Sequence, residues 1–300
     1  MKIDWWLVVP TLLLTILGLV LLRSTAPELF LNQTIFTVIA VGIFVVMSML
    51  DYHLLFSLNI PVYIASVIFI TSPFVLGTHS RGALRWLQLG DIFIQPSELC
   101  KAFLLITFAW ISVSYRLPYR KIWLIVAGII PAILVFLQPD LGTTLIITIG
   151  WGAIFVRNLS WKNIIGLSLI LLTLTPFSWW LLRDFQRNRL LTFVNPYRDP
   201  LGRGYHVIQS IIAVGSGQFF GRGLGHGTQS SLRFLPERHT DFIFATLAEE
   251  LGLFGAGLIL GLYGTLLWRL DILSRQLTAP EDRYYVWGVE ILLLFQIFVN

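Results

Sequence analysis

Charge is what this 300-residue sequence has least of. Only 12% of its residues are Asp, Glu, Lys or Arg, while 56% are apolar. Soluble globular domains carry roughly 25% charged residues. The shortage excludes an intrinsically disordered chain, which needs low hydrophobicity and high charge. It also leaves too few charged groups to cover a water-facing surface. A single cysteine, Cys100, excludes an internal disulfide and any Cys-based metal site. No run of five basic residues occurs, so the net charge of +5 does not indicate a nucleic-acid partner. No Gly-Lys-Ser/Thr follows the glycine-rich stretch, which excludes a P-loop.

What is present is a series of long uncharged runs. A spanning helix needs about 20 apolar residues. The runs predict nine spans, at about 5–22, 32–50, 59–77, 98–114, 122–137, 142–157, 163–182, 242–268 and 284–300. The first is longer than a signal-peptide core and lacks a small-residue cleavage site, so it reads as an uncleaved helix. Trp5, Trp6, Trp123, Trp161, Trp179, Trp180, Trp268, Tyr284 and Tyr285 fall at span ends, where amphipathic rings favour the headgroup level.

Short-loop cations set the orientation. With the N-terminus inside, the inner side holds Lys2, Arg116, Arg120, Lys121, Arg157, Lys162, Arg269, Arg275 and Arg283. The short outer loops hold only Arg23, Arg81 and Arg85. The positive-inside rule therefore puts the N-terminus in the cytoplasm. Two outer segments, 78–98 and 183–241, are then too long to be plain connections. The second predicts a helix at about 204–214 lying on or partly entering the membrane surface. Six glycines follow between Gly215 and Gly227. Glycine alone fits either a flexible connector or backbone passing close to a ligand or other helices.

Ionisable residues at membrane depth are functional candidates. Glu98 and Lys101 form an i,i+3 pair at the outer start of the fourth span. Asp140 and Asp241 open the sixth and eighth spans, where each also fits a helix N-cap. Glu249 and Glu250 lie deeper, and at least one must face a protein partner or a water-filled cavity. The spans bring Glu98, Lys101, Asp140, Asp241 and the arginine-rich loop to one outer level. That suggests an outward-open polar cavity, with cations for phosphate and a carboxylate as base.

Several stretches also carry a resemblance. They are Arg85-Trp86, Gln95-Pro-Ser-Glu98 with Lys101, and Gln138-Pro-Asp-Leu-Gly-Thr143. Gln186-Arg-Asn-Arg189, Asn195-Pro196, Gly204-Tyr205-His206 and Gln209-Ser210 follow. Gly225-His-Gly-Thr-Gln229, Leu235-Pro-Glu-Arg-His-Thr-Asp-Phe-Ile-Phe244 and Glu249-Glu-Leu-Gly252 complete the series. In order and spacing the chain resembles the SEDS family (shape, elongation, division and sporulation), RodA type and related to FtsW. The resemblance implies an all-α polytopic membrane protein with a large extracytoplasmic loop between helices 7 and 8. It implies a peptidoglycan glycosyltransferase that polymerises lipid II at the outer face of the bacterial plasma membrane. Asp241 corresponds to the family's essential aspartate. Glu98 and Lys101 match a cavity pair.

The implied chemistry needs one base and cationic support for a diphosphate leaving group. Asp241 is the expected base. Lys101, Arg189 and Arg238 would offset the diphosphate, and Arg85, Asp140, Gln209, Ser210, His239 and Thr240 complete the expected substrate contacts. A Mg²⁺ or Mn²⁺ ion is a possible cofactor, with Asp241 a possible ligand. The expected partners are a class B penicillin-binding protein transpeptidase, the rod-shape elongation complex and membrane lipids. Members of the family have ten spans, so a 300-residue chain with nine reads as a C-terminally truncated single domain. The competing classes are a lipid II flippase and an inactive scaffold for a transpeptidase. Charges clustered at the outer mouth, rather than spread across the membrane, argue against the flippase.

Overall fold

A computed structural model describes residues 3–80, 83–90, 92–114, 117–181, 187–188, 191–192, 194–200, 202–232, 234–235 and 237–299. Helices dominate. Six of those described are long and apolar enough to cross a membrane: Trp5–Thr25, Pro27–Met49, Asn59–Leu76, Pro96–Val113, Arg120–Leu137 and Ile243–Gln276. Leu141–Val156 is apolar but shorter, and Trp161–Leu181 and Pro280–Val299 cover the windows expected to span at 163–182 and 284–300. Pro27–Met49 buries none of its residues, and Leu31, Val38 and Ile43 stand exposed on it. Such a surface is unstable in water but ordinary where hydrocarbon is the solvent.

The fold is not all-α. Segment 78–98 contains a three-stranded antiparallel sheet of β1 (Thr78–Ser80), β2 (Ala83–Leu89) and β3 (Ile92–Ile94), in the order β1-β2-β3. Leu87 pairs with Ile94 and Leu89 with Ile92, across a tight turn that places Gly90 at φ 63°. The hairpin satisfies backbone groups within the segment, which a plain loop near a membrane does not do.

The chain packs as two compact units. One comprises Ser48–Ile164 with Leu267–Val299, the other the described residues of Met1–Met47 with Ile165–Leu266. The first is built around helix Pro96–Val113, which touches Asn59–Thr71, Arg120–Leu137, Leu141–Val156 and Pro280–Val299. Leu104, Leu105 and Phe108 from that central helix meet Leu124, Ile147, Ile154 and Leu292 in one core. Buried polar side chains tie the helix ends together. Gln138 donates to the Ile70 carbonyl at 2.5 Å, and Thr107 donates to the Asn59 carbonyl at 3.0 Å.

In the other unit, helix Ile243–Gln276 is broken at Gly252 (φ 67°, ψ −163°). The break removes the i→i−4 bonds that Leu253 and Phe254 would make to the Glu249 and Glu250 carbonyls. The glycine-rich segment replaces both sides of each lost bond. Leu253 and Phe254 donate to the Gln218 and Phe219 carbonyls at 2.9 and 3.1 Å, while Arg222 and Gly223 donate to the Glu249 and Glu250 carbonyls, both at 3.0 Å. A Cβ at Gly217 would lie 1.9 Å from the Ala248 carbonyl oxygen. Close approach to a neighbouring helix segment, rather than flexibility, therefore accounts for this glycine. Leu21, Leu247, Ala248 and Ala256 form the core beside the joint.

Candidate active site

Within the first unit, three elements bring a polar network together. Strand β2 carries Arg85, the start of helix Pro96–Val113 carries Glu98 and Lys101, and Asp140 caps helix Leu141–Val156. Asp140 accepts from the Thr143 amide at 3.1 Å, so the capping reading of its sequence position holds. Its other oxygen accepts from Gln95 Nε2 at 2.6 Å and lies 3.4 Å from Arg85 Nη1. Thr143 Oγ1 sits 3.0 Å from Asp140 and 3.2 Å from Glu98. Its single proton can serve only one of them at a time. Lys101 Nζ donates to Glu98 Oε2 at 2.5 Å.

The two cations and two carboxylates of this network balance. Glu98 is its open member, with 42% of its side chain exposed against 14% for Lys101. What the network presents outward is therefore an acceptor, with its ammonium partner behind it. Asp140→Ala is expected to remove a helix cap and leave Arg85 half-buried without its carboxylate. The loss should be about 1–3 kcal/mol, read as a lower melting temperature of the purified protein.

In the other unit, Asp241 lies in a turn that precedes the helix beginning at Ile243, so it is not that helix's cap. Thr240 and Phe242 donate their amides to the Glu237 carbonyl at 3.1 and 3.2 Å. Arg238 donates from Nε and Nη2 to the Thr25 carbonyl at 3.2 and 2.8 Å. Buried Thr246 donates to the Arg238 carbonyl at 3.1 Å. The turn is thus held from the first helix and from below. Asp241 projects from it exposed, and among the described residues no side chain pairs with its carboxylate. Thr240 donates to Glu237 Oε2 at 3.0 Å. His239 is half-buried in the same turn.

Helix Arg203–Ser216 forms where the sequence predicts a helix over 204–214. Asp199 receives the Gly202 amide at its entrance at 3.0 Å. Gln209 is half-buried on it, and Ser210 donates to the Val207 carbonyl at 2.8 Å. Arg189, expected to face a diphosphate, lies outside the described residues.

Sequence reasoning placed Glu249 and Glu250 at depth without finding their partners. Glu249 accepts the Gln229 and Ser230 amides at 2.7 and 3.0 Å. Glu250 accepts from Ser24 Oγ at 2.7 Å and from the Gly225 amide at 3.1 Å. Both carboxylates thus have protein partners, and together they anchor the loop leading to Asp241. Among the described residues no group of three or more His, Cys, Asp or Glu side chains is arranged to hold a metal.

Comparison with known proteins gives the class. A family profile described as a cell cycle protein, covering FtsW, RodA and SpoVE, matches residues 5–300. The chain therefore belongs to this SEDS family, and it is a multi-pass membrane protein. It is 38% identical to the peptidoglycan glycosyltransferase MrdB of Escherichia coli, over 97% of this chain and 82% of that one. It is 33% identical to a probable peptidoglycan glycosyltransferase FtsW of Halothiobacillus neapolitanus, over 100% of this chain and 77% of that one. Among solved structures it matches a chain of a peptidoglycan synthase complex that coordinates polymerization and crosslinking. The TM-score is 0.84 at 33% identity, covering 100% of this chain and 86% of that one. The rod shape determining protein RodA of Thermus thermophilus matches with a TM-score of 0.72 at 27% identity, covering 100% of this chain and 84% of that one.

Proposed function

We propose that this protein polymerises lipid II into glycan strands at the outer face of the plasma membrane, during rod-shape elongation. The observation that carries this reading is the Asp241 turn, an exposed carboxylate on a backbone fixed from two directions. The similarity to MrdB over nearly the whole chain supplies the substrate class. In the proposed step the acceptor 4-hydroxyl attacks C1 of the donor sugar. The C1–oxygen bond to the diphosphate breaks, the undecaprenyl diphosphate departs, and Asp241 takes the hydroxyl proton. No acid is needed for so good a leaving group, unlike the paired carboxylates of glycosidases.

Glu98 is proposed to accept sugar or peptide donors, with Lys101 holding its orientation. Arg85 and Asp140 support that pair. Arg238 acts first on the turn, because its guanidinium is engaged by the Thr25 carbonyl. Gln209, Ser210, His239, Thr240 and Arg189 remain proposed substrate contacts. A Mg²⁺ or Mn²⁺ ion fits Asp241 in the limited sense that such ions use one or two carboxylates plus substrate phosphates. There it would offset diphosphate charge.

The proposed topology has nine spans, a cytoplasmic N-terminus and segment 183–241 outside. The proposed partner is a class B penicillin-binding protein, as the synthase complex suggests. The test is polymerisation of lipid II by the purified protein with its transpeptidase in detergent. Glycan strands are expected. Their absence, with lipid movement retained in vesicles, would replace this reading with a flippase.

A further inference from the structure

A groove in the unit Ser48–Ile164 with Leu267–Val299 takes no part in the networks above. It is a cavity of about 340 Å³ lined by Asn59 and Tyr63 from one helix, Trp110 from the next, and Trp123 and Ile130 from a third. Its wall is almost wholly apolar. The volume lies at the low end of the roughly 300–1,000 Å³ typical of small-molecule sites. Leu117 also lines an adjoining cavity of about 420 Å³, which is bordered by Arg120 and Lys121. The apolar slot thus shares Leu117 with a cavity that two cations border.

Two further observations concern the same place. Asn59 is 3% exposed, donates Nδ2 to the Phe56 carbonyl at 2.6 Å, and has no partner for its buried Oδ1 among the described residues. Helix Arg120–Leu137 starts from Tyr119 at φ 56° with no side-chain cap, and although its Ile122 amide is taken by the Tyr119 carbonyl at 2.8 Å, its positive dipole end adds to the two cations. A neutral hydrocarbon has no use for the cations, and a free anion has no use for the slot.

We propose that this groove binds one anionic phospholipid, with an acyl chain in the slot and the phosphate at Arg120 and Lys121. A glycerol headgroup carries hydroxyl donors of the kind the Asn59 amide oxygen lacks. Two basic side chains at the headgroup imply a selectivity for anionic over zwitterionic lipid of roughly tenfold or more.

The full chain would be reconstituted in vesicles of equal phosphatidylethanolamine and phosphatidylglycerol, extracted, and read for retained lipid by native mass spectrometry. The wild type is expected to keep one phosphatidylglycerol in preference to phosphatidylethanolamine. The double variant Arg120→Gln with Lys121→Gln is expected to lose that preference. Ile60→Trp, at an exposed residue of the lining, is expected to lower retention of both lipids with the melting temperature unchanged. Equal retention of the two lipids by the wild type would overturn the proposal. So would unchanged retention in well-folded variants, or full displacement of the lipid by inorganic phosphate.

Discussion

Asp241→Asn is expected to lower lipid II polymerisation by about 100-fold to 10,000-fold, the usual contribution of a positioned general base. Asn keeps the shape and the exposure of Asp but cannot take the acceptor proton. The turn is built from the Glu237 carbonyl, the Arg238–Thr25 bonds and the Thr246–Arg238 bond, none of which uses the Asp241 side chain. The melting temperature should therefore stay at the wild-type value. Gel separation of the glycan products, with the partner transpeptidase present, reads the effect. Wild-type strand formation by the variant would end the assignment of Asp241 to catalysis. Asp140→Ala, by contrast, is expected to act on stability.

Gly252→Ala carries the largest expected effect on stability. At φ 67° any side chain is strained, and a Cβ would lie 2.3 Å from the Gly221 amide nitrogen and 2.6 Å from the Phe219 carbonyl oxygen. The two segments would have to separate, and four backbone bonds would be lost or weakened. Each buried unpaired backbone group costs about 1–3 kcal/mol, so the joint as a whole loses several kcal/mol. Thermal unfolding followed by size-exclusion should show a much lower melting temperature, or no folded protein. Gly257, around which nothing lies within 4 Å of a built Cβ, is the control: Gly257→Ala is expected to be tolerated. Equal behaviour of the two variants would show that the joint at Gly252 is not under the stated constraint.

Charge patterning made much of this molecule readable. Uncharged runs located helices because hydrocarbon tolerates few ionised groups, and the i,i+3 spacing of Glu98 and Lys101 foretold their contact. The capping of Leu141–Val156 by Asp140 was visible in the same way. Long apolar runs do not reveal the sheet, whose strands are three to seven residues long. Its signal was local, a Gly90-Asp91 pair between apolar flanks, which is a hairpin signature. The helix break at Gly252 was hidden for a different reason. A glycine in an apolar run reads as a small residue in a span, and only the partner segment 217–223 reveals the break. The same holds for Arg238. Its loop position suggested a diphosphate contact, whereas its hydrogen bonds run to a carbonyl 213 residues earlier in the chain.

That separation has a consequence for how the protein is made. The turn bearing Asp241 is fastened to Thr25, and Glu250 to Ser24 across 226 residues. The first helix enters the membrane long before its partners Arg238 and Glu250 have been synthesised. Contacts between such distant parts of a chain form late, after the intervening loop has been closed. The candidate catalytic turn thus stays unset until segment 238–250 has been made, and that segment completes it.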